Sequence, residues 1–451
     1  MTQGAGVPSV SVAPAAAGRW RRAAGSRRNR VLEAFACFFI AAAAGTAVFV
    51  PTDFRWAGPD VYAGYGARMN SVTEAPSIGV VVAVLTAASL SAMAGRRAAW
   101  TTVAVATTGL LLDHVVADYL VRPESGTYVT YNAVEAVLGG VALGALGVAV
   151  LDRGIVAVGY GLGAVGFWIF GDLNQIVDLM AGTTDHDADM PSLLLVGPAA
   201  ILSILCLLRH RRDPRPLLIE YPQSPRGSTL ISAAILSAAM LILSSWVDEH
   251  AHVPNDRHLN TIVVTAVVLT VGAALLSALL LPGRDGVAIL LVVALISVCD
   301  SVGYRSLSEW GVLLLFAATA FGLWAAIRYP SPRFAILALL VFAAILPIMA
   351  GADLPRNGLL HLPIAFLVGY YLFTLRPVDN AAAVLALGTL YLPSITHPLH
   401  PQSRTAQFTE PFRAYPALVA LAITVGCVTG VVALLALRPA RSDRMPGTAV
   451  G

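Results

Sequence analysis

The chain alternates long apolar runs with short polar breaks. A bilayer core about 30 Å thick needs ~20 largely apolar helical residues to cross it. Runs of this kind fall at residues 33–51, 75–95, 99–119, 132–151, 155–175, 190–208, 229–247, 261–281, 286–303, 309–327, 333–350, 357–375, 381–396 and 416–437. They predict about fourteen transmembrane helices and an all-α, polytopic integral membrane protein. The run at 381–396 is the weakest, because it is short.

The basic residues supply an independent register. Lys and Arg concentrate in cytoplasmic loops. With the N-terminus inside, 21 of the 29 basic residues fall in inside segments and eight fall outside. The alternation stays in phase to the end of the chain, so both termini are expected to be cytoplasmic and the protein to sit in the plasma membrane. Residues 1–30 read as a disordered basic tail, with Arg19, Arg21, Arg22, Arg27, Arg28 and Arg30 set to fix orientation and touch anionic lipid. The apolar stretch begins too far from Met1 for an ordinary cleaved signal peptide.

Composition agrees with this class. Hydrophobic residues make up 57% of the 451 and charged residues 12%, about half the charge of an ordinary soluble domain. That excludes a soluble enzyme, a disordered protein and a nucleic-acid binder. All 29 bases are Arg, which suits a GC-rich bacterial genome. Cys37, Cys206, Cys299 and Cys427 are widely spaced in or beside apolar runs, and read as packing residues.

A polar inside loop, residues 209–228, divides the chain. The flanking segments echo one another. The turn Gly95-Arg96-Arg97 follows span two and Pro282-Gly283-Arg284-Asp285 follows span eight. Asp113 and Asp300 lie at similar distances beyond them. Span five ends at Gly171-Asp172 and span eleven at Ala352-Asp353. The expected organisation is therefore a six-helix half at 31–208, a second six-helix half at 229–375, two additional helices within 376–437, and a cytoplasmic tail at 438–451. Tandem six-span units share one orientation and give parallel repeats about an axis along the membrane normal. Gly140 and Gly144, then Gly159 and Gly163, have small-xxx-small spacing, which lets helix backbones approach closely.

With inward termini, six-plus-six spans, a polar central loop and Gly-Arg turns, the chain resembles the major facilitator superfamily over roughly residues 31–375. Gly95-Arg96-Arg97 is similar to that family's signature loop, without its acidic residue, and Gly159–Gly166 to its span-five glycine motif. Fourteen-span relatives of that kind usually insert their extra pair centrally, whereas loop composition here puts it at the C-terminus. The resemblance implies a secondary active transporter working by alternating access, with a small-molecule or lipidic substrate and a proton or cation as coupling partner.

Ionisable groups inside spans cost about 2.5–3.5 kcal/mol at a helix centre, so each needs an account. Six outward-running spans end in an acid: Asp53, Asp113, Asp172, Asp248, Asp300 and Asp353. Arg55, Arg122, Arg305 and Arg356 follow closely enough to pair with Asp53, Asp118, Asp300 and Asp353 as surface ion pairs. Asp113 falls below the interface, and His114 and Asp118 share a helical face. A His beside a carboxylate exchanges protons near neutral pH. Asp113, His114, Asp118, Asp172, Asp300 and Asp353 are therefore the candidate transport or proton-relay residues, against a structural role as satisfied carboxylates. Glu135, three residues after Asn132, fits a capping box at the start of span four. His361 fits a hydrogen-bonded interior histidine. Glu135 and His361 are the weaker candidates.

No metal site and no cofactor are expected. The run Asp185-His186-Asp187-Ala188-Asp189 lacks the Gly and the closing Glu of a calcium loop. Asp248-Glu249-His250-Ala251-His252, with His258, has zinc-ligand types but no fixed spacing. No nucleotide or hydrolase motif is present. Besides a transporter, the sequence admits a non-catalytic membrane subunit of an envelope or secretion complex. It also admits a polytopic glycosyltransferase using a lipid-linked sugar, with a general base in the first outer loop.

Overall fold

The computed structural model describes residues 15–49, 65–93, 95–119, 128–166, 193–211, 226–251, 256–302, 309–351, 360–374, 379–399 and 414–438. These form fourteen α-helices with no strand among the described residues. They are α1 (Ala15–Phe49), α2 (Tyr65–Met93), α3 (Arg96–Tyr119), α4 (Tyr128–Val150), α5 (Ile155–Ala164), α6 (Leu193–His210) and α7 (Arg226–Ala251). The second set is α8 (Asp256–Leu280), α9 (Asp285–Val302), α10 (Glu309–Arg328), α11 (Pro332–Gly351), α12 (His361–Thr374), α13 (Asn380–Gly388) and α14 (Tyr415–Leu437). Each falls on one of the fourteen apolar runs. Eleven are long and apolar enough to cross a bilayer. The chain is a multi-pass membrane protein.

Two tight turns show how the punctuation works. Gly154 (φ 50°) and Gly283 (φ 56°) adopt the left-handed conformation between α4 and α5 and between α8 and α9, a region that costs glycine nothing. Arg438, just after α14, donates to the carbonyl oxygens of Leu279 (2.7 Å), Leu281 (2.6 Å) and Gly283 (3.0 Å). A cation thus satisfies carbonyls at the end of α8, where the helix dipole is negative.

Small residues set the closest packing. A Cβ on Gly140 or Gly144 would collide with the carbonyl oxygens of Gly79 and Ala83 on α2. Gly322 of α10 and Gly369 of α12 meet the carbonyls of Phe366 and Thr319 in the same way. Without a strong solvent-driven force between helices in lipid, such backbone contact is a main source of association.

The helix pairs follow a pattern. In the first six helices α1 packs on α5, α2 on α4 and α3 on α6. Among the last six, α10 packs on α12, both α9 and α11 pack on α14, and α9 touches α13 more slightly. The helices α7 and α8 pair with each other through reciprocal bonds, Ser232 Oγ to the Ser277 carbonyl (2.9 Å) and Ser277 Oγ to the Ser232 carbonyl (3.2 Å). Outwardly, α7 lies on α2, and α8 on α9 and α14. The helix α14 packs on α9 and α11, α13 packs on α2 and α4 as well as on α9, and α7–α8 form a hairpin between α2 and α9. The helix α9 is the most enclosed, with 94% of its apolar window buried.

Candidate transport seam and buried charged sites

The two six-helix sets meet where α13 crosses α2 and α5 touches α10. Phe38 of α1 and Phe316 of α10 stack edge-on across this seam, centroids 5.9 Å apart. Two small cavities lie along it. One is bounded by Val48, Gly79, Leu143, Tyr160, Val384 and Tyr391. The other is bounded by Val165, Leu315, Thr319, His361, Ile364 and Val368. Tyr391 also donates its hydroxyl to the Ala164 carbonyl at 2.5 Å, tying the last turn of span thirteen to the end of α5.

Span thirteen is broken. Its helical part, Asn380–Tyr391, is ~18 Å long at 1.5 Å per residue, against a hydrocarbon core of about 30 Å. Residues 392–399 are irregular, yet Ser394 and Thr396 are fully buried. Irregular backbone at membrane depth persists only where protein satisfies its polar groups. Here Asp300 of α9 accepts the Ser394 N–H (3.1 Å), and Thr396 donates to the Ser297 carbonyl (2.9 Å). Ser394 Oγ contacts Thr396 Oγ1 (2.8 Å) and donates to Ser297 Oγ (3.3 Å). Asp300, expected as a relay residue or a partner of Arg305, thus also holds the backbone of the broken segment; Arg305 lies outside the described residues.

The second site joins α3 and α4. His114 Nδ1 is 3.3 Å from Glu135 Oε1 and 3.1 Å from the Leu110 carbonyl oxygen. His114 and Glu135 are 4% and 2% exposed. Asp113 joins them, with one donor atom from each residue lying within 4.8 Å of the others. This overturns the capping-box reading of Glu135. The helix begins at Tyr128, so Asn132 and Glu135 lie inside it. The apolar run starts later than the helix because Tyr128, Thr130 and Tyr131 are half-polar residues that continue it.

A third cluster joins α1, α3 and α6 with the turn after α4. Glu33 of α1 takes a two-pronged ion pair from Arg153, whose Nη2 is 3.1 Å from Oε2. His210 Nε2, at the end of α6, is 2.9 Å from Oε1. Trp100 stacks on the His210 ring with centroids 5.6 Å apart. Beside it, Arg96 of the Gly95-Arg96-Arg97 turn donates to Asp152 at 2.8 Å. The acid missing from that turn is thus supplied by the turn after α4. No local pattern reveals these partners, since 56 to 177 residues separate them.

Of the remaining candidates, Asp172, Asp353 and the Asp118 side chain lie outside the described residues, as do Arg55, Arg122 and Arg356 and the 178–189 run. His361 opens α12 and lines the second seam cavity. His250 and His258 rings are 6.3 Å apart. Asp113, His114 and Glu135 are the one group among the described residues close enough to share a metal ion. All four cysteines are buried and free, as their packing reading requires.

No family profile matches the chain, and no curated protein matches it. Solved structures do. A double-tryptophan mutant of XylE matches at TM-score 0.52 and 13% identity, covering 91% of this chain and 95% of that one. XylE from E. coli in a partially occluded, inward-open conformation matches at TM-score 0.49 and 14% identity, covering 91% and 98%. A D-xylose–proton symporter structure matches at TM-score 0.49 and 12% identity, covering 90% and 95%. The chain shares its overall helical fold with the double-tryptophan XylE mutant.

Proposed function

We propose that this protein is a secondary transporter working by alternating access between two six-helix units, α1–α6 and α9–α14. The carrying observation is that the second and fourth helices of each set, α2 with α4 and α10 with α12, form a close glycine-faced pair, and the third and sixth, α3 with α6 and α11 with α14, also pack together. On this reading the second unit begins at α9. The hairpin α7–α8 is the inserted pair, central in the chain rather than appended. Both termini face the cytoplasm, consistent with the Arg distribution.

The seam along α2/α13 and α5/α10 is the proposed pathway. Its cavity walls carry no carboxylate or guanidinium among the described residues, which favours an uncharged, largely apolar or amphipathic small molecule. The sugar–proton symport named for one structural neighbour is compatible with coupling to protons. Buried carboxylates at Asp113, Glu135 and Asp300 supply groups whose charge is costly in the membrane and therefore able to bias two states.

The test uses Thr319→Cys and Ile364→Cys in a chain whose four native cysteines are replaced by Ser. Both positions are buried in the seam. In oriented vesicles, a membrane-impermeant thiol reagent is expected to label them from either face, slowly and competitively with cargo. Protection from both faces, with loop cysteines labelled normally, would overturn the alternating-access reading.

A further inference from the structure

We propose that Asp113, His114 and Glu135 form a binding site for a divalent transition-metal ion of mixed nitrogen and oxygen preference, such as Zn²⁺. The site clamps α3 to α4 and does not depend on the transport reading.

The geometry is that of a ligand set. Two donors held about 2.0–2.1 Å from one tetrahedral Zn²⁺ are roughly 3.3–3.4 Å apart. His114 Nδ1 and Glu135 Oε1 are 3.3 Å apart. One donor atom from each of the three residues falls within 4.8 Å. Asp113 is half-buried, and an ion would draw its carboxylate closer to the other two donors. One imidazole and two carboxylates from two helices match the His/carboxylate donor type of many zinc sites.

The charge balance points the same way. Two carboxylates beside one histidine leave a net negative charge in a low-dielectric setting, where buried charges are paired or coordinate metals. A divalent cation neutralises both acids. In the metal-free site His114 Nδ1 lies 3.1 Å from the Leu110 carbonyl oxygen, a hydrogen bond that metal binding replaces. On metal binding the ring proton moves to Nε2, and Nδ1 turns its lone pair to the ion, with no net proton lost from the imidazole. Water completes the coordination shell.

The experiment uses the full chain, purified in detergent and stripped with a chelator. Zn²⁺ is added and quantified per chain by equilibrium dialysis. Co²⁺ is added separately and read by its visible d–d absorption. The expected result is one ion per chain, a Co²⁺ spectrum of low coordination number, and a melting temperature raised by Zn²⁺. Asp113→Asn and Glu135→Gln are each expected to weaken binding ~10-fold or more, while His250→Gln with His258→Gln leaves it unchanged. Asp113→Asn changes a half-buried residue by one atom and keeps the fold testable through its elution profile. Absence of binding by the unaltered chain would overturn the proposal. So would full binding in the Asp113→Asn and Glu135→Gln variants, or loss only in the His250/His258 variant, which would place the ion at the α7–α8 end.

Discussion

Glu33 is the residue on which one end of the first six helices converges. Its side chain is 1% exposed and engages Arg153 and His210 together. Truncating one member of a buried ion pair leaves an uncompensated charge and costs about 3–5 kcal/mol. Glu33→Ala is expected to lose stability on that scale in a denaturant titration of the purified protein. Glu33→Gln, which keeps an acceptor, is expected to lose less. Double-mutant cycles with Arg153→Gln will show strong coupling if the pair acts as a unit. At the broken span, Asp300→Leu removes the acceptor of the Ser394 N–H. An unsatisfied buried donor costs roughly 1–3 kcal/mol. The same titration is expected to show that loss for Asp300→Leu and a smaller one for Asp300→Asn. Sequence reasoning found Asp113, His114 and Asp300 as groups needing an account. It could not find Glu135 as the partner of His114, because periodicity describes one helix at a time and this contact lies between two.

Element contacts depend on where backbones can touch. Gly144 of α4 has no space for a side chain against α2, while Gly197 of α6 has nothing within 4 Å of an added Cβ. Gly144→Leu is expected to force α2 and α4 apart and to destabilise by more than the 1–3 kcal/mol of ordinary overpacking. Gly197→Ala is expected to be neutral or to stabilise by roughly 0.5–1 kcal/mol, since it removes a glycine from a helix interior. Thermal melts of the two variants beside the parent protein test this contrast. The glycine spacing in α4 and α5 was visible in the chain, and the structure gives it a partner in α2 and α1. The run at 381–396 was visibly short. Its division into helix and irregular segment was not visible, because the polar groups that permit it, Ser297 and Asp300, come from another helix.

For the whole molecule, the arrangement turns on where the second six-helix unit begins. The hairpin α7–α8 touches both units, through α2 on one side and through α9 and α14 on the other. It is therefore placed to brace them rather than to belong to either. If both termini are cytoplasmic, a green fluorescent protein fused after residue 451 will fluoresce and alkaline phosphatase fused there will be inactive. The reverse outcome would invert every assignment of inside and outside.

The chain's own pattern determined the number of helices, their approximate positions, and the buried role of the cysteines, though α1 and α2 begin 10 or more residues before their apolar runs. These follow from the bilayer: each helix must be apolar over the same thickness, whatever its neighbours, so the signal is local and repeated. Only the tertiary structure decided which helices pair, and that Glu135, Asp300 and Glu33 each find partners on other helices. In lipid, an apolar face carries no instruction about which apolar face it meets. Partner choice rests on a few glycine contacts and on single hydrogen-bonding or charged groups, whose complements lie tens to hundreds of residues away.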